Sequence, residues 1–233
     1  MKIVAIVQAR MGSSRLPGKV LADLGGRMVI DHVLARARRI AGVAETVLAI
    51  PDTPEDDPLE VAAARHQVPV VRGHATDVLD RYYVAARARH ADAIVRLTAD
   101  CPLLDPRVSA QVVERFADGG VDYVSNIHPA TYPDGFDTEI LTWQSLATAW
   151  RDAKDPFERE HVTPFIWRRP QRFRVANVAD SNDRSSWRLT IDTASDLEAL
   201  RCLAARLDDA DRAGISEIAA VVARHPQLVR RTS

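Results

Sequence analysis

The stretch Ile3-Val-Ala-Ile-Val-Gln-Ala-Arg-Met-Gly-Ser-Ser-Arg-Leu-Pro-Gly-Lys19 decides the fold that this sequence predicts. Its apolar start, residues 3–7, predicts a buried strand. The remainder predicts a loop with three cations, two serines and two glycines: Arg10, Arg15, Lys19, Ser13, Ser14, Gly12 and Gly18. Backbone N–H groups and cations in such a loop form a phosphate cradle at the carboxyl edge of a parallel sheet. Three cations within ten residues match the charge of a triphosphate.

This loop differs from the two commoner phosphate loops. A Walker loop has four residues between its glycines and a Ser or Thr after its Lys, whereas here five residues separate Gly12 from Gly18 and Val20 follows Lys19. The dinucleotide fingerprint needs three glycines at a fixed spacing that this loop does not have. A solvated basic loop is the alternative interpretation, although such loops rarely follow a buried first strand so closely.

The rest of the chain alternates short apolar runs with amphipathic segments. Strands are predicted at residues 3–7, 46–50, 68–71, 93–97, 121–124, 173–178 and 186–191. Helices are predicted at residues 30–40, 55–66, 77–90, 105–118, 143–153, 158–168, 195–206 and 216–225. This order predicts an α/β fold, a three-layer α/β/α sandwich with a mostly parallel, Rossmann-like sheet. We find no linker or internal repeat, so we predict one domain over residues 1–233 with an inserted hairpin region at 121–140.

The composition is typical of a soluble globular protein, with 46% hydrophobic and 27% charged residues. The net charge of -1 argues against a duplex-DNA binder, so no nucleic-acid partner is expected. No apolar run approaches the roughly 20 residues of a membrane helix, so no membrane association is expected. Cys101 and Cys202 form no paired motif, which predicts reduced thiols in a cytoplasmic protein.

Two carboxylates directly follow predicted strands. Asp100 comes after the apolar run 94–97, and Asp192 comes after the run 187–191. Ligands collect at this edge of a parallel sheet, so both side chains are candidate metal ligands. Each could instead serve as an N-cap or an Asx-turn before the next helix. None of the seven histidines pairs at a metal-ligand spacing, so a zinc site is not expected.

The segment Gln8-Ala-Arg-Met-Gly-Ser-Ser-Arg-Leu-Pro-Gly-Lys-Val-Leu21 resembles the signature of the sugar-acid cytidylyltransferases, which make CMP-activated Kdo and CMP-sialic acids. It is most similar to the branch typified by the spore-coat polysaccharide biosynthesis protein F. The likeness continues in order through residues 71–83, 96–105, 132–139, 159–164 and 188–193. It covers about residues 2–200 and implies a sheet of the nucleotide-diphospho-sugar transferase type.

The resemblance implies a reaction and a set of site residues. The reaction is the Mg²⁺-dependent transfer of CMP from CTP to a sugar acid, nonulosonic or related, with release of pyrophosphate. Metal binding is implied for Asp100 and Asp192. Nucleotide binding is implied for Ala9, Arg10, Gly12, Ser13, Arg15, Lys19, Arg72, Gly73 and Asp77. The candidate catalytic residues are Arg10, Arg15, Lys19 and Asp100.

One departure from the family and one alternative stay open. Many relatives in the Kdo branch have Gly-Asp-Glu-Pro where this chain has Ala99-Asp-Cys-Pro102, so Cys101 supplies no second carboxylate. Arg72 could equally be a solvated strand end. Nothing in residues 72–77 reads a base by spacing, so the preference for CTP over other nucleoside triphosphates follows from the resemblance alone.

Candidate acceptor-binding residues lie in the second half of the chain. They are Asp134, Asp137, Glu139, Arg159 and His161, since a sugar carboxylate needs a cation and sugar hydroxyls need Asp, Glu or His. His161 is also a candidate general base. We predict that the hairpin region 121–140 is a lid over the acceptor, with a solvated turn as the alternative. In the related synthetases an inserted segment mediates a dimer, so a homodimer contact is another interpretation of residues 121–140.

Two readings from other classes remain. A metal-dependent glycosyltransferase usually has Asp-X-Asp at a strand end, whereas the one such motif here, Asp209-Ala-Asp211, lies between two predicted helices. A nucleotide- or sugar-binding module would not need two strand-end carboxylates that face a cationic loop. A nucleotidyltransferase for another nucleoside triphosphate is the third alternative.

Overall fold

The computed structural model describes residues 1–231 of the chain. Its strands are β1 (Ile3–Gln8), β2 (Asp23–Leu24), β3 (Arg27–Met28), β4 (Glu45–Pro51), β5 (Val70–Gly73), β6 (Ala93–Thr98), β7 (Tyr123–Ser125), β8 (Glu139–Thr142), β9 (Val175–Asn177), β10 (Trp187–Arg188) and β11 (Arg230–Arg231). Its helices are α1 (Val29–Ala37), α2 (Asp57–Arg65), α3 (Val78–Ala88), α4 (Pro106–Ala117), α5 (Trp143–Asp152), α6 (Pro156–His161), α7 (Pro164–Trp167), α8 (Ala194–Ala204) and α9 (Ile215–Arg224). The described part of the chain has no helix long and apolar enough to cross a bilayer.

The centre of the molecule is a seven-stranded sheet with the order β5-β4-β1-β6-β8-β7-β9. Strands β5, β4, β1 and β6 run parallel, and β7 and β9 are parallel to each other. Strand β8 is antiparallel to both of its neighbours. The predicted α/β class with a mostly parallel sheet is therefore confirmed.

Alternation along the central strands sends apolar side chains to both faces of the sheet, as a buried parallel strand requires. In β1, Ala5 and Val7 pack with α1, α2 and α4, whereas Val4 and Ile6 pack with α3 and α5. All four side chains are fully buried. A third apolar cluster joins α8 and α9 to Leu189 and Ile191 beyond the carboxyl edge of the sheet. The sheet thus has a helical layer on each face, and α8 and α9 close one end.

Two predicted elements were wrong in extent, and one strand of the central sheet was not predicted. Residues 158–168 form two helices and not one, because Val162 has φ +72° and Pro164 begins α7. The predicted strand at 186–191 pairs as a strand only at Trp187–Arg188. Strand β8 was not predicted, because its four residues begin with a carboxylate that only a tertiary ion pair allows to be buried.

The region 121–140 is held in the sheet at both ends. Strands β7 and β8 pair antiparallel, with Tyr123 opposite Leu141 and Ser125 opposite Glu139. The residues between these strands form a turn-rich loop at the carboxyl edge. Whether that loop acts as a lid or as a dimer contact stays a prediction.

Candidate active site

The candidate active site is a cleft of about 400 Å³ at the carboxyl edge of the sheet, between the segments that follow β1 and β6. These two strands are neighbours and end side by side, with Gln8 opposite Thr98. Residues 9–19 therefore form one wall, and residues 99–101 form the floor beside it. The opposite wall comes from the turn at Asp134–Asp137 and from the segment 188–192. A cleft of this size and position is typical of a small-molecule site in an α/β protein.

The loop after β1 is folded back on itself and anchored at its base. The Gly18 N–H donates to the Met11 carbonyl at 3.0 Å, and Gly18 has φ +70°, which favours glycine. The Met11 N–H donates to Asp56 Oδ1 at 2.7 Å, which ties the loop to the start of α2. Arg10 is exposed on this loop and makes no ion pair within residues 1–231. Its charge is available to an anion in the cleft.

Lys19 lies between the carboxylates of Asp100 and Asp192. Its Nζ donates to Asp100 Oδ2 at 2.7 Å, to Asp192 Oδ1 at 3.0 Å and to the Ile191 carbonyl at 2.6 Å. Burial alone would lower the pKa of Lys19, but the two carboxylates outweigh it and leave that pKa raised. Burial would raise the pKa of Asp192, yet its bonds to Lys19 and Arg188 leave it lowered. Both carboxylates therefore converge on one cation.

Neither carboxylate is used as a helix cap. Helix α8 is capped by Thr193, whose side chain accepts from the Asp196 N–H. Helix α4 is capped by Asp105, whose side chain accepts from the Arg107 N–H. Asp100 and Asp192 are thus free of the capping role that the sequence left open for them.

The carboxylates of Asp100 and Asp192 fit a divalent metal whose other ligands are phosphate oxygens. Mg²⁺ commonly takes one or two carboxylates and fills its other positions with phosphate oxygens and water. Asp100 and Asp192 supply two carboxylates that already close on the ammonium group of Lys19. The described residues contain no cluster of three or more acidic, His or Cys side chains that could hold a metal alone. Two carboxylates would leave the remaining positions of such a metal to phosphate oxygens and water.

A second ion-pair cluster fixes the opposite wall. Arg188 Nη1 donates to Asp134 Oδ2 at 2.6 Å, and Arg188 Nη2 donates to Asp192 Oδ2 at 2.5 Å. The backbone is joined at the same place, since the Leu189 N–H donates to the Asp134 carbonyl and the Ile191 N–H donates to the Asp100 carbonyl. Residues 187–191 thus connect the turn at Asp134 to the metal-binding candidates.

Asp137 is the carboxyl group of this wall that has no hydrogen-bond partner among the described residues. Burial raises its pKa to about 7, with repulsion from Asp134 and Glu139 as the next causes. Arg96 opposes this increase in the pKa. Asp137 can therefore exchange a proton near neutral pH.

The structure brings most of the predicted site residues into the cleft. They are Ala9, Arg10, Gly12, Ser13, Arg15, Lys19, Asp100, Asp134, Asp137, His161 and Asp192. Five others do not line it: Arg72, Gly73, Asp77, Glu139 and Arg159. Their roles toward a ligand stay predictions, and their contacts are described next.

Arg72 and Gly73 are engaged by their own neighbours. Arg72 donates to Glu60 at 2.7 Å and to Asp57 at 2.5 Å, and both carboxylates belong to α2. A Cβ on Gly73 would lie 3.0 Å from the Arg81 side chain, so glycine lets α3 approach β5 closely. The sequence could not show that the carboxylates of α2 would be the partners of Arg72.

Asp77 and Arg159 bind each other. Asp77 caps α3 by accepting from the Asp80 N–H, and its other oxygen accepts from Arg159 Nε at 2.8 Å. Arg159 also donates to the Trp150 carbonyl at 2.6 Å. This pair joins α3, α5 and α6 behind the cleft.

Glu139 is fully buried and accepts three hydrogen bonds. The donors are Arg96 Nη1, the Tyr123 hydroxyl and the Thr163 hydroxyl, each at 2.5 Å. No oxygen of Glu139 faces the cleft, so this side chain supports the site from behind. The sequence suggested direct contact with a sugar because the partner, Arg96, lies 43 positions earlier in the chain.

Sequence reasoning missed three arginines that line the cleft: Arg81, Arg96 and Arg188. Each lies on a strand or helix among largely apolar residues. An arginine in such a position is often paired or part of a functional site, because burying an unpaired charge is costly. Arg81 is buried and donates to the His74 and Ala75 carbonyls, which shapes the loop after β5. The arginine in the apolar run Ala93-Ile-Val-Arg-Leu-Thr98 was the signal that the sequence offered.

Comparisons with known proteins agree with this geometry. The profile of the family described as Cytidylyltransferase matches residues 4–217. The spore coat polysaccharide biosynthesis protein SpsF of Bacillus subtilis is 33% identical over 231 residues, which covers 96% of this chain and 95% of that protein. A solved cytidylyltransferase from Leptospira borgpetersenii superposes with a TM-score of 0.94 at 31% identity, covering 100% of this chain and 98% of that one. A CMP:2-keto-3-deoxy-manno-octonic acid synthetase solved with CTP shares the fold, with a TM-score of 0.70 at 22% identity over 88% of this chain and 99% of that one.

The fold and the cleft define a nucleotidyltransferase, since a cationic loop and two convergent carboxylates meet at one sheet edge. The chain belongs to the cytidylyltransferase family, of the branch that contains SpsF and is similar to the CMP-Kdo synthetases.

Proposed function

We propose that this chain couples CTP to a sugar acid in a Mg²⁺-dependent reaction, and that it releases pyrophosphate and forms a CMP-sugar for surface polysaccharide synthesis. The observation that supports this most directly is the position of Lys19 between Asp100 and Asp192, beside a loop with two more cations. The names of two relatives support CTP and a sugar acid as substrates, and the name of SpsF supports polysaccharide synthesis.

The proposed reaction is an in-line attack of a sugar hydroxyl on the α-phosphorus, with pyrophosphate as the leaving group. Arg10, Arg15 and Lys19 hold the phosphates and stabilise the charge that develops on the leaving group. Asp100 and Asp192 would hold the metal, which when bound supplies charge neutralisation at the phosphate oxygens. The acceptor hydroxyl would lie opposite that loop, beside Asp134, Asp137 and His161, which line the cleft. Asp137 can accept the hydroxyl proton, since its pKa lies near neutrality.

The glycosyltransferase alternative has little support from the geometry. Asp209 and Asp211 lie between α8 and α9, and neither lines the cleft. Asp211 forms an ion pair with Arg27, and its Oδ1 lies 2.9 Å from His32 Nδ1. The Asp-X-Asp motif is thus engaged in the packing of α1 and not in the site.

The test is a screen for pyrophosphate release with four nucleoside triphosphates against a panel of sugar acids and sugar phosphates. We expect release only with CTP, a sugar acid and Mg²⁺. Release with another triphosphate and a sugar phosphate would favour a different nucleotidyltransferase. Transfer of a sugar from a nucleotide sugar, without pyrophosphate, would favour the glycosyltransferase.

Asp100→Asn provides the residue-level test of the metal assignment. This change keeps the side-chain shape and removes the charge, so turnover should fall by at least about 100-fold while the midpoint of thermal unfolding stays close to that of the wild type. The matched control is Asp118→Asn, at an exposed carboxylate after α4, which should leave turnover unchanged. An active Asp100→Asn enzyme would contradict the assignment.

A further inference from the structure

Arg96 is a cation in the floor of the cleft with donor capacity that the fold does not use. It lies on β6, two residues before the strand ends, and its side chain is 14% exposed. Its Nη1 donates to Glu139, whereas its Nε is buried with no hydrogen-bond partner in residues 1–231. A guanidinium has five N–H donors, and leaving buried donors unpaired is costly. Glu139 therefore fixes one side of the Arg96 guanidinium, and hydrogen-bond donors on its other side have no partner.

The support behind Arg96 is built from several elements. Glu139 on β8 is 1% exposed and also accepts from Tyr123 on β7 and from Thr163 at the junction of α6 and α7. A buried carboxylate with three donors is fixed in orientation, because every alternative position would lose hydrogen bonds. Thr163 follows His161 by two residues, so the same carboxylate also anchors the wall that carries His161.

The other cations of the cleft are engaged elsewhere or belong to its phosphate side. Lys19 contacts two carboxylates, and Arg188 is close to three, namely Asp134, Asp192 and Asp196. Arg15 pairs with Asp192 at 3.1 Å. Arg10 lies on the phosphate loop. Burial lowers the pKa of Arg81, and the nearby charge of Arg10 lowers it further, which places Arg81 beside the phosphate loop.

Arg96 lies instead on the side where the acceptor would bind. It is close enough to Asp137 to oppose the rise in the pKa of that carboxyl, and both line the cleft with His161. The Arg96–Glu139 pair has no net charge, and the raised pKa of Asp137 reduces the negative charge that it brings to this part of the cleft. An incoming carboxylate would therefore meet guanidinium N–H donors that the fold leaves unpaired.

We propose that Arg96 receives the carboxylate of the sugar acid, and that Glu139 is the positioning residue that holds Arg96 in place. This inference rests on the proposed function and deepens it, since it assigns the selectivity for an acid over a neutral sugar to one side chain. Arg159, which the sequence suggested for this role, is occupied by Asp77.

The test compares acids with their neutral forms. The probes are 3-deoxy-manno-octulosonate and N-acetylneuraminate, each beside its methyl ester, in a pyrophosphate-release assay at saturating CTP and Mg²⁺. The wild type should prefer the acid to the ester. Arg96→Gln should raise the KM for the acid by about 10- to 100-fold, remove the preference, and leave the KM for CTP within about twofold.

A second pair of variants separates this role from a purely structural one. Arg96→Gln alone leaves Glu139 as an uncompensated buried charge, which destabilises the fold. The double variant Arg96→Gln with Glu139→Gln removes both charges, so its midpoint of thermal unfolding should be closer to that of the wild type while the acid preference is still lost. Glu139→Gln alone should weaken acid binding more than CTP binding, whereas a merely structural role would leave the acid-to-ester ratio unchanged. The control is Arg174→Gln, an exposed arginine paired with Asp122, which should keep the preference.

Each result decides between the inference and the proposed function. An unchanged acid-to-ester ratio in Arg96→Gln overturns the inference. If the wild type transfers CMP to a neutral sugar but to neither acid, the role of Arg96 is also rejected. Cytidylyl transfer by this chain is then still supported. Absence of pyrophosphate from CTP with every acceptor overturns the proposed function and the inference with it.

Discussion

Lys19 holds two carboxylates close together and carries the positive charge that an anionic ligand needs. Its ammonium group separates two carboxylates that would otherwise repel each other, and it closes the cleft between β1 and the segment before α8. A triphosphate and its metal would compete for the same groups, with phosphate oxygens drawn to Lys19 and the metal drawn to Asp100 and Asp192. In a substrate complex, contacts with the phosphates and the metal would replace the ion pairs seen in the structure.

Lys19→Ala should weaken the binding of CTP by about 10- to 100-fold, because a charge-assisted hydrogen bond to a phosphate is lost. Calorimetric titration with CTP and Mg²⁺ measures this change. Lys154→Ala is the matched control, since Lys154 is exposed and outside the cleft. Equal affinities for the Lys19→Ala protein and the control would contradict the phosphate-binding role.

Asp137 makes the stability of the protein depend on pH. Its pKa is raised to about 7 in the fold, whereas an unfolded aspartate titrates near pH 3.9. Between these values the folded state keeps a proton that the unfolded state releases, so the contribution of this group to stability falls as the pH rises from about 4 to about 7. Above pH 7 Asp137 is ionised in the folded and the unfolded state, so the destabilisation that it causes no longer changes with pH.

Asp137→Asn should remove that cost. We expect the midpoint of thermal unfolding to rise at pH 8, by about 2–4 °C for each kcal/mol of stability recovered in a chain of this size, and by less at pH 5. Thermal scans at a series of pH values measure the difference between variant and wild type. A difference that is the same at pH 5 and pH 8 would show that the titration of Asp137 is not responsible.

At the scale of elements, the acceptor wall depends on a tight turn between β7 and β8. Gly135 lies in this turn with φ +109°, and a Cβ there would come within 2.7 Å of the Leu189 carbonyl carbon and oxygen. The turn is fixed directly before Gly135, since the Asp134 N–H donates to the Trp187 carbonyl and the Asp134 carbonyl accepts from the Leu189 N–H. The positions of Asp134 and Asp137 therefore depend on a residue without a side chain.

Gly135→Ala should destabilise the protein by about 2–4 kcal/mol and reduce turnover, because the added methyl group meets backbone that cannot move freely. Gly119→Ala is a close control, since Gly119 also has a positive φ but open space around it, and it should cost about 1–2 kcal/mol. Urea denaturation measures both free energies of unfolding. Equal losses in the two variants would mean that the contact with Leu189 is relaxed at little cost.

At the scale of the whole molecule, the cleft lies where three buried clusters meet. Two of them pack on opposite faces of the sheet, and the third joins α8 and α9 to the carboxyl edge. The two carboxylates that converge on Lys19 come from segments 92 positions apart, Asp100 after β6 and Asp192 before α8. A ligand that bridges them should therefore stabilise the molecule as a whole.

CTP with Mg²⁺ should raise the midpoint of thermal unfolding by about 5–10 °C at a ligand concentration near 100 times its Kd. With EDTA in place of Mg²⁺ the increase should be largely lost, because the triphosphate then faces Asp100 and Asp192 without neutralisation. Asp100→Asn should show a smaller dependence on the metal. An equal increase with EDTA would argue against a metal between nucleotide and protein.

The sequence by itself determined the class of the fold and the phosphate side of the cleft. Continuous apolar runs that alternate with amphipathic segments in the first half specify parallel strands and their helices, since burial of a strand on both faces leaves few other arrangements. The cations and glycines of residues 10–19 lie in one short segment, so their common role in phosphate binding can be predicted from the sequence of that segment. The strand-end position of Asp100 follows from the same pattern, whereas Asp192 lies four residues beyond β10 and not at the end of a strand.

The tertiary structure alone decided the acceptor side. Which arginine meets which carboxylate depends on partners far apart in the chain: Arg96 with Glu139, Arg159 with Asp77, and Arg188 with Asp134. Local sequence cannot rank these pairings, because an ion pair is set by distance and burial in the folded state and not by separation along the chain. The same reason explains why β8, which begins with a buried carboxylate, is visible only in the fold.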